Sequence, residues 1–405
     1  MTDTTQPAAI LALGREKSAR RGHPWVFSGA LARLEGSPEP GAPIVARSAD
    51  GHRIGVAAYS PSSQISLRFW SFDPDEVIDT GFFLARLDRA IAWREAQGLD
   101  PMGQRDADSA TRLLHAEADG LPGVTCDRYG RYLVIQLSSA GAEWARAKIL
   151  EALQTRFPDH AVLERSDVDS RAKEGLPQRT GMLAGEAPTG PVTIREGDCR
   201  FLVDILAGHK TGFYLDQAPN RARLAALSKG KRVLNVFSYT GGFGIAAGVA
   251  GAAEVTHVDS SGPALALMAD AAALNGLDPV RARALEGNAF EILRKLRDKA
   301  ESYDLIVLDP PKLAANASQV AKASRAYKDM MLWGLKLCRA GGHVAAFSCS
   351  GNVDATLFRR IAADAAADAG REVRVVDQLG SGPDHPSLLA FPEGDYLKGL
   401  LLSPM

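Results

Sequence analysis

The hydrophobic pattern changes character twice along the chain. Residues 41–47, 53–59 and 64–70 form alternating or β-branched runs separated by Gly, Pro and Ser, which predicts a small domain of short strands. Asp73-Pro-Asp reads as a linker. Residues 82–97 then place Phe83, Leu84, Leu87, Ala90 and Ile91 at helical spacing. Strand-like segments follow at 111–115 and 132–137, with a hairpin over 123–130, and a helix over 144–156 closes a middle α+β unit. The Gly- and Pro-rich stretch 175–191 marks the next boundary. The expected division is 1–75, 76–190 and 191–405.

Beyond that stretch, apolar runs alternate with helical ones, the signature of a parallel sheet with crossover helices. Residues 233–237, 255–259, 304–309 and 343–348 read as buried strands. Helices are expected over 263–275, 290–299 and 321–337, and 373–378 and 396–402 add two closing strands without a full helix between them. The expected architecture is multidomain: a β-rich first domain, a central α+β domain, and a C-terminal doubly wound, Rossmann-like α/β domain. In such a domain ligands bind at the carboxyl ends of the strands.

Composition narrows the class. A chain of 405 residues exceeds one compact core, and 46% hydrophobic with 23% charged residues is an ordinary globular mix. The net charge of −1 argues against a protein that coats nucleic acid non-specifically. Any RNA contact must therefore come from basic residues gathered locally, and Arg15, Lys17, Arg20, Arg21 and His23 form one such cluster. The alternative for this cluster is a solvated charged face. Cys126, Cys199, Cys338 and Cys349 contain no Cys-x-x-Cys pair and no zinc-ligand spacing. The first residues show no basic-then-apolar leader pattern, and no apolar run reaches the roughly eighteen residues of a membrane span. The expectation is a cytoplasmic protein with no membrane partner and no metal.

Two constellations carry chemistry. Phe237-Ser-Tyr-Thr-Gly-Gly-Phe243 follows the first strand of the last domain, where a glycine turn lets a ligand approach the backbone. About twenty residues on, Asp259 ends the second strand, where a carboxylate accepts ribose hydroxyls. Asn288 is placed either to reach an adenine edge or to cap a helix, and the two are compatible. The pattern suits an adenosine-containing cofactor better than a dinucleotide, because G-x-G-x-x-G is absent.

The second constellation is Asp309-Pro-Pro-Lys312 with Phe347-Ser-Cys-Ser-Gly351. Two prolines hold Asp309 and the adjoining carbonyl groups rigidly, a set suited to the edge of a planar base. Cys349 ends the neighbouring strand, which brings Asp309 and Cys349 to one place. C5 of a pyrimidine is too poor a nucleophile to take a methyl group unaided. Addition of a thiolate at C6 makes C5 enamine-like. Asp309 would hold N3 as charge builds there. Lys312 stands where amine methyltransferases usually carry a base-stacking aromatic, which favours a pyrimidine carbon.

At these motifs the chain resembles the ribosomal RNA large subunit methyltransferase I family. The resemblance runs nearly end to end. It includes Gly14-Arg-Glu-Lys-Ser, His23-Pro-Trp-Val-Phe-Ser-Gly, Ser60-Pro-Ser-Ser-Gln-Ile, Asp119-Gly-Leu-Pro-Gly and Arg165-Ser-Asp. It continues through Gly208-His-Lys-Thr-Gly-Phe-Tyr-Leu-Asp-Gln217, Asp384-His-Pro and Pro392-Glu-Gly-Asp-Tyr-Leu-Lys-Gly. It implies a PUA domain at the N-terminus, a class I methyltransferase domain using S-adenosylmethionine, and a product of 5-methylcytosine in 23S rRNA. It casts Cys349 as nucleophile and Asp309 as a residue touching base and cofactor. Cofactor contacts fall to Gln217, Phe237, Ser238, Tyr239, Thr240, Gly241, Asp259, Asn288 and Asp309. Substrate contacts fall to Pro310, Lys312, Arg15, Lys17, Arg20 and Arg21.

The resemblance also has the segment 210–217 cover the cofactor, whereas the pattern alone reads it as a hairpin. Asn288 stands where many relatives carry an acidic residue. No second cysteine follows Asp309-Pro-Pro, so the base that removes the C5 proton is unassigned. His385 is a candidate beside its reading as an ordinary packed histidine. Rival readings are a uracil-C5 RNA methyltransferase and an RNA-binding ribosome-assembly factor with a vestigial cofactor site. A homodimer is left open.

Overall fold

The computed structural model describes residues 7–405; residues 1–6, on which the expected absence of a leader rests, lie outside the described residues. The first sheet has six strands: β1 (Ala8–Leu11), β2 (Trp25–Phe27), β3 (Leu31–Glu35), β4 (Pro43–Arg47), β5 (Arg53–Tyr59) and β6 (Ile65–Ser71). Their spatial order is β2-β6-β5-β4-β1-β3. Leu11, Ile44, Leu67 and Phe69 fill its core, with the one-turn helix α1 (Lys17–Arg20) pressing Ala19 against them. Strands β1, β2 and β3 are not anticipated by the pattern, being three to five residues long with little alternation to read.

Helix α2 (Thr80–Ala96) opens the next layer, its start fixed by the Asp79 carboxylate, which accepts from the Phe82 amide. The second sheet comprises β7 (Ala110–His115), β8 (Val124–Tyr129), β9 (Tyr132–Leu137), β10 (Ala161–Ser166) and β11 (Arg179–Ala184), in the order β11-β10-β9-β8-β7. Three expectations change here. The stretch 123–130 is one arm of a hairpin whose other arm is β9, with Gly130 at φ +56° making the turn. The helix expected over 144–156 is two, α3 (Ala140–Trp144) and α4 (Arg146–Arg156). Helix α5 (Ser170–Lys173) follows, and the stretch 175–191 contains β11, paired antiparallel with β10. The prolines of that stretch lie outside the strand.

A two-stranded ribbon, β12 (Val192–Glu196) and β13 (Cys199–Val203), precedes the largest sheet. Segment 210–217 is a series of turns ending in the 3-10 turn Leu215–Gln217, rather than the hairpin its pattern suggests. The hairpin is the ribbon just before it. Helix α6 (Ala218–Ala225) then leads to β14 (Arg232–Val236), α7 (Gly242–Val249), β15 (Glu254–Asp259), α8 (Gly262–Leu274), β16 (Ala282–Glu286) and α9 (Ala289–Asp298). The chain continues through β17 (Tyr303–Leu308), α10 (Val320–Leu337), β18 (Cys338–Ser348), α11 (Ala355–Ala369), β19 (Val373–Leu379) and β20 (Lys398–Pro404).

The order β16-β15-β14-β17-β18-β20-β19 reverses direction between β14 and β17, a topological switch point of the kind that binds ligands. Strands β14 to β18 are parallel, whereas β20 joins antiparallel to both β18 and β19. Residues such as Leu234, Ile306 and Val344 fill one face of the sheet and Val233, Val307 and Phe347 the other. That two-sided burial is why these strands read as continuous apolar runs.

The chain divides into two compact units. The first holds the chain to Val192 with Asp204–Phe213 and Pro383–Gly394; the second holds Thr193–Val203, Tyr214–Gly382 and Asp395–Met405. Within the first unit, Arg94 is fully buried, forks onto Asp119 and donates to the Asp384 carbonyl at 2.8 Å, tying the 383–394 segment down. Among the described residues no helix is long and apolar enough to cross a membrane.

Candidate active site

The turn after β14 is backbone under constraint. Phe237 at φ +59° and Tyr239 at φ +48° are left-handed without being glycine, a conformation that costs energy and gathers at functional sites. Gly241 at φ +83° could not be otherwise, since an added Cβ would lie 2.3 Å from Met268 Cγ. Two hydrogen bonds hold the turn from the next strand. The Tyr239 amide donates to Asp259 Oδ2 at 2.7 Å and the Ser261 amide to Oδ1 at 2.9 Å. Both carboxylate oxygens keep lone pairs, so Asp259 can still accept hydroxyl donors.

The turn also contains buried polar atoms with no protein partner: Ser238 Oγ and Thr240 Oγ1. Leaving such groups unpaired is costly, so their presence beside a glycine turn and a carboxylate fits a polar ligand there. The Asn288 side-chain carbonyl accepts from the Phe290 and Glu291 amides at 2.9 and 3.4 Å, capping α9. The helix-cap reading of Asn288 is therefore realised. Phe290 packs edge-on to Phe237 with centroids 6.1 Å apart.

At the switch point, β17 and β18 are parallel neighbours, with Leu308 opposite Ala346. Their carboxyl ends accordingly lie side by side, with Asp309 directly after β17 and Cys349 directly after β18. Asp309 accepts from Gln217 Nε2 at 3.1 Å, and Gln217 is in turn held by Asn220 Nδ2 at 2.6 Å. Pro310 is buried and Lys312 exposed. Cys349 is the half-buried one of the four cysteines; Cys126, Cys199 and Cys338 are buried. Burial pushes the Cys199 thiol up to about 11 and that of Cys338 to about 12, and raises Cys126 further. Such thiols are poor sources of thiolate.

Sequence reasoning missed three groups around this point. Tyr214 packs edge-on to Tyr239, centroids 5.7 Å apart, and its phenol is pushed upward by burial and by the charges of Asp309 and Cys349. Tyr327 lies inside α10 and reads as core, yet its hydroxyl bonds Ser348 Oγ at 2.9 Å and Ser350 Oγ at 3.1 Å, on either side of Cys349. Lys398 donates to the Ser350 carbonyl at 3.1 Å. No spacing in the sequence links these to Cys349, although Tyr214 and Lys398 stand inside the motif strings 208–217 and 392–399.

Arg15, Lys17, Arg20 and Arg21 are exposed on and around α1 in the first unit. Beside them a cleft of about 380 Å³ is lined by Arg15, Ser18, His23, Trp25 and Phe27 among others. Arg20 is partly occupied by Ser48 Oγ at 3.1 Å and Asp50 at 3.8 Å. His385 also belongs to the first unit. It is buried, with Nδ1 2.8 Å from Asp384, and edge-on to His115, which is the packed-histidine alternative.

A strained glycine turn, a carboxylate at the next strand end and a switch point suit an adenosine-containing ligand, and a match over more than half of the chain gives the class: this is an S-adenosylmethionine-dependent methyltransferase. The profile of the S-adenosylmethionine-dependent methyltransferase family matches residues 144–401, and that of a PUA-like domain matches 10–72. A Klebsiella pneumoniae (strain 342) protein named ribosomal RNA large subunit methyltransferase I is 47% identical over 399 residues, covering 98% of each chain. Its namesake from Escherichia coli O139:H28 is 47% identical over 390 residues, covering 96% of this chain and 97% of the relative. The chain belongs to the ribosomal RNA large subunit methyltransferase I family.

A solved Streptococcus mutans chain, provisionally assigned as a SAM-dependent methyltransferase, superposes with a TM-score of 0.83 at 22% identity, covering 98% of this chain and 99% of that one. A provisionally assigned methyltransferase complexed with SAH superposes equally well, with a TM-score of 0.83 and the same coverage. Both show the shared fold.

Proposed function

We propose that the protein methylates C5 of a specific cytosine in 23S rRNA through a covalent bond between Cys349 and C6 of the base. The observation that carries this reading is the half-buried Cys349 at the end of β18, beside Asp309 at the end of β17. The name carried by the relatives supports large-subunit rRNA as the substrate. Such a substrate places the reaction in the cytoplasm.

Asp259 and the turn 237–241, with Gln217 and Asn288, would hold the cofactor, which when bound would supply an electrophilic methyl group. The Cys349 thiolate adds to C6, and the electron pair of the C5–C6 double bond becomes available at C5. Asp309 hydrogen-bonds the N3 edge and favours its protonation as charge accumulates, with Pro310 and Lys312 lining the base. After C5 has taken the methyl group, its proton passes to solvent, the double bond re-forms as the thiolate departs, and N3 gives its proton back. Reaching C5 requires an unstacked base, so the target is a flipped or single-stranded cytosine. Phosphate contacts from Arg15, Lys17, Arg20 and Arg21 orient the RNA without reading its sequence. In this division of labour, 1–75 binds RNA, 76–190 connects, and 191–405 catalyses.

The test is transfer of a labelled methyl group from S-adenosylmethionine to 23S rRNA lacking the modification, for wild type and Cys349→Ala. Label in 5-methylcytidine with wild type and none with the variant is expected. Label in 5-methyluridine would move the reading to uracil. RNA binding without transfer by either protein would make it an assembly factor.

A further inference from the structure

We propose that Lys398 is the cation that keeps Cys349 in its thiolate form, a positioning residue acting on the nucleophile through space; this rests on the reading of Cys349 as the nucleophile. In the antiparallel ladder of β18 and β20, Ser348 stands opposite Lys398 and Phe347 opposite Gly399. The strands are tightly apposed, since a Cβ on Gly399 would lie 2.6 Å from the Phe347 ring. From that register the Lys398 ammonium reaches the turn after β18 and donates to the carbonyl of Ser350, the residue next to Cys349, at 3.1 Å.

The backbone that presents Cys349 is clamped on both sides. Ser348 Oγ donates to the Tyr327 hydroxyl at 2.9 Å, and that hydroxyl lies 3.1 Å from Ser350 Oγ. Ser350 Oγ also accepts from the Ala314 amide at 3.2 Å. The turn that carries Cys349 is thus fixed, and the ammonium is bonded to the backbone of the very next residue. A carbonyl needs only a neutral donor, so a half-buried ammonium is an expensive way to make that one bond. It repays its desolvation where an anion forms beside it.

The groups acting on Lys398 fit this role. Burial pushes its pKa below the usual lysine value, and Asp395, Cys349 and Asp354 oppose that by favouring the ammonium, while Lys312 disfavours it. A free cysteine is mostly protonated at neutral pH and becomes a better source of thiolate beside a lysine. The thiol proton leaves to solvent, Lys398 stays an ammonium throughout, and the thiolate then adds to C6.

The test reads the thiol without RNA or cofactor. The rate of iodoacetamide alkylation is followed against pH for wild type, Lys398→Met, Lys398→Gln and Lys398→Arg, with Cys349→Ala as the background to subtract. Loss of a nearby cation should raise the midpoint by about one pH unit, and so cut alkylation roughly tenfold below it. Lys398→Met and Lys398→Gln are expected to show that rise, and Lys398→Arg to stay near wild type. Unchanged midpoints in both neutral variants would overturn the proposal. So would a wild-type midpoint in Lys398→Gln alone, because a neutral donor would then suffice. Failure of the nucleophile reading is seen separately, as methyl transfer surviving in Cys349→Ala.

Discussion

Gln217 and Asp309 meet at 3.1 Å, although 92 positions of chain separate them. The amide of a buried residue in a 3-10 turn thus fixes the carboxylate at the end of β17. Hydrogen bonds to charged groups contribute about 1.5–3 kcal/mol. Gln217→Ala is expected to slow methyl transfer by roughly ten- to a hundredfold if the bond acts fully in the transition state. Gln217→Glu sets a second carboxylate against the first, which disfavours ionisation of the pair. The acid limb of its pH–rate profile should move to higher pH, and a profile that superimposes on wild type would sink the assignment of Asp309.

Asp259 ties the turn at 237–241 to β15 through two backbone amides and remains half-exposed. Its removal costs both the turn and any hydroxyl bonds to a cofactor. Asp259→Ala should weaken binding of S-adenosylhomocysteine by about ten- to a hundredfold in calorimetric titration. Undiminished affinity would place the nucleoside elsewhere.

His257 lies fully buried on β15 opposite Asn235, and burial alone pushes its pKa down to about 4. An unfolded histidine titrates near 6.5. Between these values the unfolded chain holds a proton that the folded one lacks, so stability is full above about pH 6.5 and falls as pH drops toward 4, by about 1.4 kcal/mol per unit. Urea unfolding at pH 7 and pH 5 should show wild type losing about 2 kcal/mol more than His257→Gln over that interval. Equal losses would mean that the imidazole is protonated in place.

Arg15, Lys17 and Arg21 are exposed, whereas Arg20 is shared with Ser48 and Asp50. Changing the first three to Gln should flatten the salt dependence of RNA binding by about 0.7 for each phosphate no longer neutralised. Affinity for S-adenosylhomocysteine should be unaffected. An unaltered salt slope would make the cluster a solvated face.

The strands of the last domain are legible because both faces of their sheet are buried, so 255–259 and 304–309 stand out as apolar runs within a residue of β15 and β17. Short β1, β2 and β3 are not, because a three- to five-residue strand takes its stability from neighbours that sequence spacing does not display. Strand β11 is hidden for a related reason: Arg179 to Ala184 is exposed or half-exposed throughout and lacks a hydrophobic alternation. Asn288 is readable as a helix cap because capping is a local bond between near neighbours in the chain.

By itself the sequence determined the strand–helix alternation and the glycine turn and singled out Asp259, Asp309 and Cys349 as candidates, since each rests on periodicity or on residues a few positions apart. Tertiary structure decided what surrounds them. Gln217 against Asp309, Tyr327 beneath the serines flanking Cys349, and Lys398 across the ladder from Ser348 are contacts between segments remote in sequence. Such contacts depend on strand order and on the register of an antiparallel closing strand. Register is set by how whole faces pack, and no local pattern encodes it.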